Sequence, residues 1–277
     1  MNELSLHNLL KPRRADTHKG DYGKLLLVCG SMEMPGAAAL SAKAALRSGV
    51  GLCTIFCERA LMPALSPAVP EAIFLYPDGP QTLEEAVARS SAVLVGCGLG
   101  KSDEAAQRLF TVLDKAQCPV VVDADGINLV CGRIDCIKPT GSVILTPHIG
   151  EMSRLTGLAA GTIKAQRKRV AQQFATGHQV TVVLKDHITV VAAPDGRLFV
   201  NDSLGNPGMA KAGSGDTLSG ILSALCAGGL PPFEAAAAAV QLHAMAGDRA
   251  AARLSQTAML PADMSDCLCE VFAELGL

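Results

Sequence analysis

KLLLVCGSMEMPGAAALSAKAALRSGVGLCTIF, Lys24 to Phe56, runs from an apolar stretch through a glycine turn and an alanine-rich stretch into a second apolar run. Lys24 to Cys29 has no polar residue alternating along it after the lysine, so it reads as a strand buried on both faces. Ala37 to Arg47 reads as a helix and Leu52 to Phe56 (LCTIF) as the next strand. Strand, helix and strand at this rhythm form a βαβ unit, the building block of a parallel sheet. The same style continues in Ala92 to Val95, Pro119 to Asp123 and Ser142 to Leu145, with helical stretches at Thr82 to Arg89 and Asp103 to Lys115. The expected class is α/β, a mostly parallel, doubly wound central sheet with helices on both faces.

The C-terminal half reads differently. Val180 to Leu184, His187 to Ala193 and Arg197 to Val200 lie close together, the last two joined by Pro194-Asp195-Gly196. Such short links make hairpins, so this part of the sheet is expected to be antiparallel. Long helices are expected at Gly215 to Ala227 and Glu234 to Arg253. No Pro/Ser-rich linker, repeat or low-complexity tract divides the chain, so residues 1–277 read as one domain.

Composition excludes several function classes. The 277 residues are 49% apolar and 18% charged, which rules out a disordered chain. A net charge of −2 disfavours nucleic-acid binding by phosphate neutralisation. Aromatics at 3%, with no Trp, leave little for base-stacking or carbohydrate platforms. Ten cysteines contain no Cys-x-x-Cys pair, so they read as reduced core thiols of a cytoplasmic protein, not zinc ligands. The N-terminus lacks the apolar core of a signal peptide. The longest uncharged stretch, Thr217 to Phe233, is interrupted by Gly228 and Pro231-Pro232, so no membrane role is expected.

The sharpest motif is NPGMAKAGSGDTLSG, Asn206 to Gly220. Glycines ahead of a helix let successive backbone amides face a phosphate, and the helix N-terminus favours negative charge. Asp216 falls at that N-terminus, where it fits a general base and equally an N-capping carboxylate. TPHIGE, Thr146 to Glu151, follows a strand, the place where ligands bind in open α/β sheets. There His148 and Glu151 either address one ligand or simply start a helix. GCGLGKS, Gly96 to Ser102, is one residue short of a Walker A loop, and Gly96-Cys97-Gly98-Leu99-Gly100 does not meet the dinucleotide fingerprint. Its glycines remain a place of close backbone approach. Lys164, Arg167, Lys168 and Arg169 read as the solvated face of a helix starting near Thr162. Asp123 and Asp125 either line a polar pocket or form a turn.

Taken in order, these segments resemble the ADP-dependent NAD(P)H-hydrate dehydratase family of the ribokinase-like superfamily. The resemblance is carried by HKGDYGKLLLVCGS (His18 to Ser31), PGAAALSAKAALRSGVGL (Pro35 to Leu52) and VGCGLG (Val95 to Gly100). It continues through VDADGIN (Val122 to Asn128), TPHIGEMSRLTG (Thr146 to Gly157) and the Asn206 to Gly220 motif. It implies repair of the hydrated cofactors NADHX and NADPHX (the S form). The added hydroxyl is phosphorylated from ADP, giving AMP, and phosphate is then eliminated to restore NADH or NADPH. By the resemblance, Asp216 is the base, and Ala37, Gly98, Gly100, His148 and Asp216 contact the substrate. Lys185, Asp186, His187, Ile188, Thr189, Asn206, Ala212, Gly213, Ser214 and Gly215 contact the nucleotide and its phosphates. Mg²⁺ accompanies the phosphates, with Glu151 acting on it through water. A homo-oligomer, a tetramer in the family, is implied, without the N-terminal epimerase domain that some relatives carry.

Two departures stand out. Relatives usually read Lys-Gly where this chain has Lys185-Asp186, which sets a negative charge beside the nucleotide. Relatives often read Thr-Gly-Gly-Thr-Gly-Asp where this chain has Lys211-Ala212-Gly213-Ser214-Gly215-Asp216, and Lys211 is a further candidate for a phosphate contact. Two other readings are a superfamily kinase acting on a thiamin precursor and a nucleotide-sensing protein without turnover.

Overall fold

A computed structural model of the chain describes residues 4–137 and 142–277. Nine strands form one sheet: β1 (Lys24–Val28), β2 (Leu52–Phe56), β3 (Ile73–Leu75), β4 (Ala92–Val95), β5 (Val120–Val122), β6 (Val143–Leu145), β7 (Thr181–Leu184), β8 (Thr189–Ala192) and β9 (Leu198–Asn201). The spatial order is β3-β2-β1-β4-β5-β6-β7-β8-β9. Pairing is parallel from β3 to β7, with Leu25 opposite both Cys53 and Ala92, and antiparallel for β7–β8 and β8–β9. The expected strands are thus present, with shifts of one or two residues at their ends. The first hairpin turn is longer than expected, because β8 begins at Thr189 and leaves Lys185 to Ile188 in the turn.

Alternate residues of the parallel strands enter two cores. Leu25, Leu27, Ile55, Leu94, Val121 and Ile144 pack under helices Pro35–Arg47, Ser214–Ala227 and Pro232–Leu254. Leu26, Val28, Val93, Val95, Val122 and Leu145 pack under helices Asp103–Lys115 and Arg167–His178. Each fully buried Leu or Ile is worth about 1.5–3 kcal/mol, so strands apolar on both faces are held from both sides. The helix ends follow the local chemistry. The Ser102 hydroxyl accepts from the Ala105 amide, starting Asp103–Lys115. Pro35, Pro232 and Pro261 each open a helix at its first turn.

The basic run near Thr162 differs from expectation. It is divided at Gln166 between helices Ala160–Ala165 and Arg167–His178, so Lys164 and Arg167 do not share one solvated face. Among the described residues no helix is long and apolar enough to cross a membrane. The chain runs outward from β1 to β3 and returns at β4, which places the sheet's switch point between β1 and β4. The loops beyond the carboxyl ends of β1, β4, β5, β6 and β7 all open at the same end of the sheet, the end at which open α/β sheets bind ligands.

Candidate active site

Asn206 to Asp216 builds the rim of a cavity of about 980 Å³. The Asn206 side chain accepts from the Gly208 amide at 2.9 Å and donates to Asp248 at 3.0 Å, while Asp248 also takes the Gly205 amide at 2.9 Å. Asn206 therefore fixes the loop with the groups it was expected to offer a nucleotide. Lys211 is likewise committed: its ammonium donates to the carbonyls of Thr257 and Met259 at 2.7 and 2.6 Å. It is not a free cation for phosphate.

The chain then turns through Gly213 at φ +97, and a Cβ there would lie 2.5 Å from Leu40 Cδ1. Helix Ser214–Ala227 starts immediately after. Its first-turn amides at Gly215 and Asp216 have no carbonyl one turn back to reach, which leaves donors aimed at an anion. His243, on helix Pro232–Leu254, places Nε2 3.0 Å from the Ser214 carbonyl and 3.3 Å from its hydroxyl. Burial pushes His243 down to about 4, so it is neutral, and Nε2–H donates to the turn.

Asp216 sits in that first turn. Burial and the nearby Asp123 carboxylate raise its carboxyl to about 6, with a Cys97 hydrogen bond and the Lys185 charge pulling the other way. At pH 7 it is a carboxylate in a ratio of about ten to one, yet basic enough to take a proton. Asp123, 1% exposed at the end of β5, receives Lys185 Nζ at 2.7 Å and the Ser219 hydroxyl at 2.6 Å. Burial alone would raise the Asp123 carboxyl, but Lys185 and Ser219 hold it below the usual range. Burial alone would lower Lys185, and the charges of Asp123 and Glu151 instead keep it above its ordinary value. A Cβ on Gly215 would stand 3.3 Å from the Lys185 ammonium, so cation and helix N-terminus meet at one point.

The expected pair His148 and Glu151 is present as a helix cap that also faces the cavity. His148 Nδ1 accepts from the amides of Gly150 and Glu151 at 2.9 and 3.3 Å, and Glu151 Oε2 takes the His148 amide at 2.8 Å. With Nδ1 an acceptor, the ring proton is on Nε2, 3.5 Å from Glu151 Oε1. Burial and the Lys185 charge lower His148, and burial raises Glu151. An isolated parallel bridge pairs His148 with Lys185, which brings the loops after β6 and β7 together.

Asp186 lies 3.6 Å from Arg167 and 3.3 Å from His187 Nδ1. Burial would raise it, but the His187 amide and ring and the Arg167 charge keep it low. Its negative charge is therefore balanced inside the protein by Arg167, a residue expected on a solvated face and instead 15% exposed.

Of the expected site residues, His148, Glu151, Lys185, Asp186, His187, Thr189, Asn206 and Ala212 through Asp216 line this cavity. Ile188 does not. Neither Ala37 nor Gly98 lines it: Gly98 has φ +62, and a Cβ there would be 2.7 Å from Ala37 Cβ and 3.0 Å from Met34 Cβ, so the two expected substrate contacts pack on each other next to Met34. Gly100 donates its amide to Asp125 at 3.0 Å and lines a second cavity of about 790 Å³. Ala124, between Asp123 and Asp125, has φ 50 and ψ −115, a strained backbone of the kind held at functional sites. Sequence reasoning left Asp123 undecided, put Lys164 on a solvated helix face although it lines the cavity, and missed His243 and Asp248. Asp123 alone carried a signal, its position at the end of a buried strand.

A family model described as NAD(P)H-hydrate dehydratase matches residues 25–270. The bifunctional NAD(P)H-hydrate repair enzyme Nnr of Moorella thermoacetica is 38% identical over 96% of this chain and 52% of its own length. The chain spans about half the length of such bifunctional relatives. The ADP-dependent (S)-NAD(P)H-hydrate dehydratase of Bacillus subtilis is 36% identical over 95% of this chain and 94% of its own. A crystal structure of the ADP/ATP-dependent dehydratase from Bacillus subtilis, co-crystallised with ATP and Mg²⁺, has a TM-score of 0.84 at 33% identity, covering 97% of this chain and 95% of that one. The ribokinase-like arrangement, mixed only at its C-terminal edge, is the one the sequence implied. With the family model covering the strands, both glycine loops and the Asp216 turn, the chain belongs to the NAD(P)H-hydrate dehydratase family.

Proposed function

We propose that this chain dehydrates the S form of NADHX and NADPHX to NADH and NADPH at the expense of ADP. The observation that carries this reading is Asp216: a carboxylate raised to about 6, in a helix-N-terminal turn, beside the Lys185–Asp123 pair. In the first step Asp216 removes the proton of the hydrate hydroxyl, whose oxygen bonds to the β-phosphorus of ADP as the bridging P–O bond breaks and AMP leaves. The amides of Gly215 and Asp216, with Lys185, stabilise the charge on the phosphoryl oxygens. In the second step phosphate departs with its C–O bonding pair. A proton leaves the neighbouring ring carbon, and the ring double bond is restored. By the same reading Ala37, Gly98, Gly100 and neutral His148 border the hydrated dinucleotide, and the Lys185 to Thr189 turn borders the nucleotide.

Among the described residues no three His, Cys, Asp or Glu side chains cluster as a metal site. Mg²⁺ needs only one or two carboxylates beside phosphates and water, and the buried Glu151 carboxylate fits that requirement. When bound with nucleotide it would neutralise phosphate charge. A cytoplasmic location is part of the same reading. A homo-oligomer, a tetramer, is part of the same reading, and light scattering tests it.

The test is to mix the protein with NADHX, Mg²⁺ and ADP or ATP and follow the absorbance of restored NADH. Recovery with ADP supports the reading. No recovery with either donor overturns it, and phosphate transfer to thiamin precursors is then measured.

A further inference from the structure

The Cys97 thiol has no part in the chemistry above, although it stands behind the Asp216 carboxylate. Cys97 lies two residues beyond β4, fully buried in the core cluster that also holds Leu218 and Ile221 of helix Ser214–Ala227. Its backbone is fixed from two sides. The Cys97 carbonyl accepts from the Gly30 amide at 2.8 Å, and at Gly96, φ +118, an added Cβ would stand 2.2 Å from the Asp123 carbonyl oxygen. Cys97 lines neither cavity, whereas Asp216 lines the larger one, so the thiol meets the carboxylate from the core side.

Two thiols meet there, and the acceptors available decide where their protons point. Cys29, just after β1, touches Cys97 and donates to the Leu94 carbonyl at 3.7 Å. The single Cys97 proton then has two acceptors within reach, the Cys29 sulfur and the Asp216 carboxylate. Sulfur is a weak acceptor and an ionised carboxylate a strong one, so the S–H points at Asp216. The Cys29 contact, burial and the charges of Asp123 and Asp216 push the Cys97 thiol well above its ordinary value. It therefore keeps its proton as a donor and does not become a thiolate nucleophile. The charged groups that face Asp216 are Asp123, Asp125 and Lys185, while the neutral His243 is turned to the Ser214 carbonyl.

We propose that Cys97 is a positioning residue for the base: its S–H holds one Asp216 oxygen at the core wall and turns the other into the cavity, towards the hydrate hydroxyl. The proposal rests on the dehydratase reading for the proton that Asp216 takes. A weak donor suits the task, because a strong one would stabilise the carboxylate and make it a poorer base.

Two measurements test it. The first is the acid limb of kcat/KM for NADHX in the wild type, Cys97→Ala and Cys97→Ser, neither of which overfills the core. Loss of the S–H in Cys97→Ala should raise the limb by about 0.5–1 pH unit and lower kcat about tenfold. Cys97→Ser offers a stronger donor of nearly the same size, so its limb should return to or below the wild-type position, with part of kcat recovered. A limb in one place for all three, with kcat reduced evenly across pH, would mean a packing role only and overturns the proposal. The second needs no turnover. The infrared S–H stretch of Cys97, isolated as the difference between wild type and Cys97→Ala, should move to higher frequency in Asp216→Asn and on acidification through about pH 6. A band unmoved by either change overturns the contact and the proposal with it. A band that moves in a protein restoring no NADH supports the contact, and the dehydratase reading alone fails.

Discussion

Lys185 and Asp123 meet at 2.7 Å in the floor of the site, although 62 residues separate them in the chain. Asp123 is buried and Lys185 partly so, and each holds the other charged against the cost of burial. The pair also sets the electrostatics of Asp216, because Asp123 raises that carboxyl and Lys185 lowers it.

Asp123→Asn separates these effects. It removes the negative neighbour, so the acid limb of the kcat/KM profile should move below its wild-type position near pH 6. It also leaves the Lys185 ammonium without its carboxylate, which should cost about 3 kcal/mol or more. A pH–rate profile and a urea titration check both. An acid limb that stays in place shows that Asp123 does not tune Asp216.

Asp216→Asn should lower kcat/KM by about 10²–10⁴-fold while leaving nucleotide affinity within a few-fold. In the wild type the base is lost as Asp216 is protonated, so the rate should fall about tenfold per pH unit well below 6. Steady-state kinetics with calorimetric ADP binding test this. Full activity in the variant removes Asp216 as the base.

Gly213→Ala should weaken both stability and turnover. Its φ of +97 lies where a side chain is strained, and the added Cβ presses on Leu40. The strain costs about 1–3 kcal/mol, and any relaxation moves the amides of Gly215 and Asp216 off the phosphate. Thermal unfolding and KM for ADP report the two consequences, and an unchanged KM for ADP would show that the turn holds no phosphate.

The parts of this protein that were legible in sequence are local ones. Asp103–Lys115 could be read to the residue because Ser102 caps it and Ala116 ends it. The Asn206 to Asp216 turn was legible because its glycines and its carboxylate are neighbours along the chain. The Lys185–Asp123 pair was not, since nothing local marks two strand ends that lie on either side of β6. Arg167 was misread for the same reason: its partner Asp186 comes from the turn after β7, and without that turn a charged helix face looks solvated. His243 sat unremarked in an alanine-rich helix, because its partner is a backbone carbonyl that only the packing of two helices supplies.

His243 and Asp216 should also pull stability in opposite directions with pH. Burial lowers His243 from 6.5 to about 4, so between those values the unfolded chain binds the extra proton. Its contribution is complete above pH 6.5 and is lost as pH falls towards 4. Asp216 is raised from 3.8 to about 6, so in that window the folded chain binds the extra proton, and stability from this group increases as pH falls. The two variants separate the terms. Relative to the wild type, Asp216→Asn should become progressively less stable as pH drops from 6.5 to 4. His243→Gln, which keeps a side-chain N–H to offer the Ser214 carbonyl, should narrow its deficit over the same range. Urea midpoints at pH 7, 5.5 and 4.5 measure both gaps. Parallel curves for wild type and His243→Gln would show that His243 is not buried neutral against the Ser214 turn.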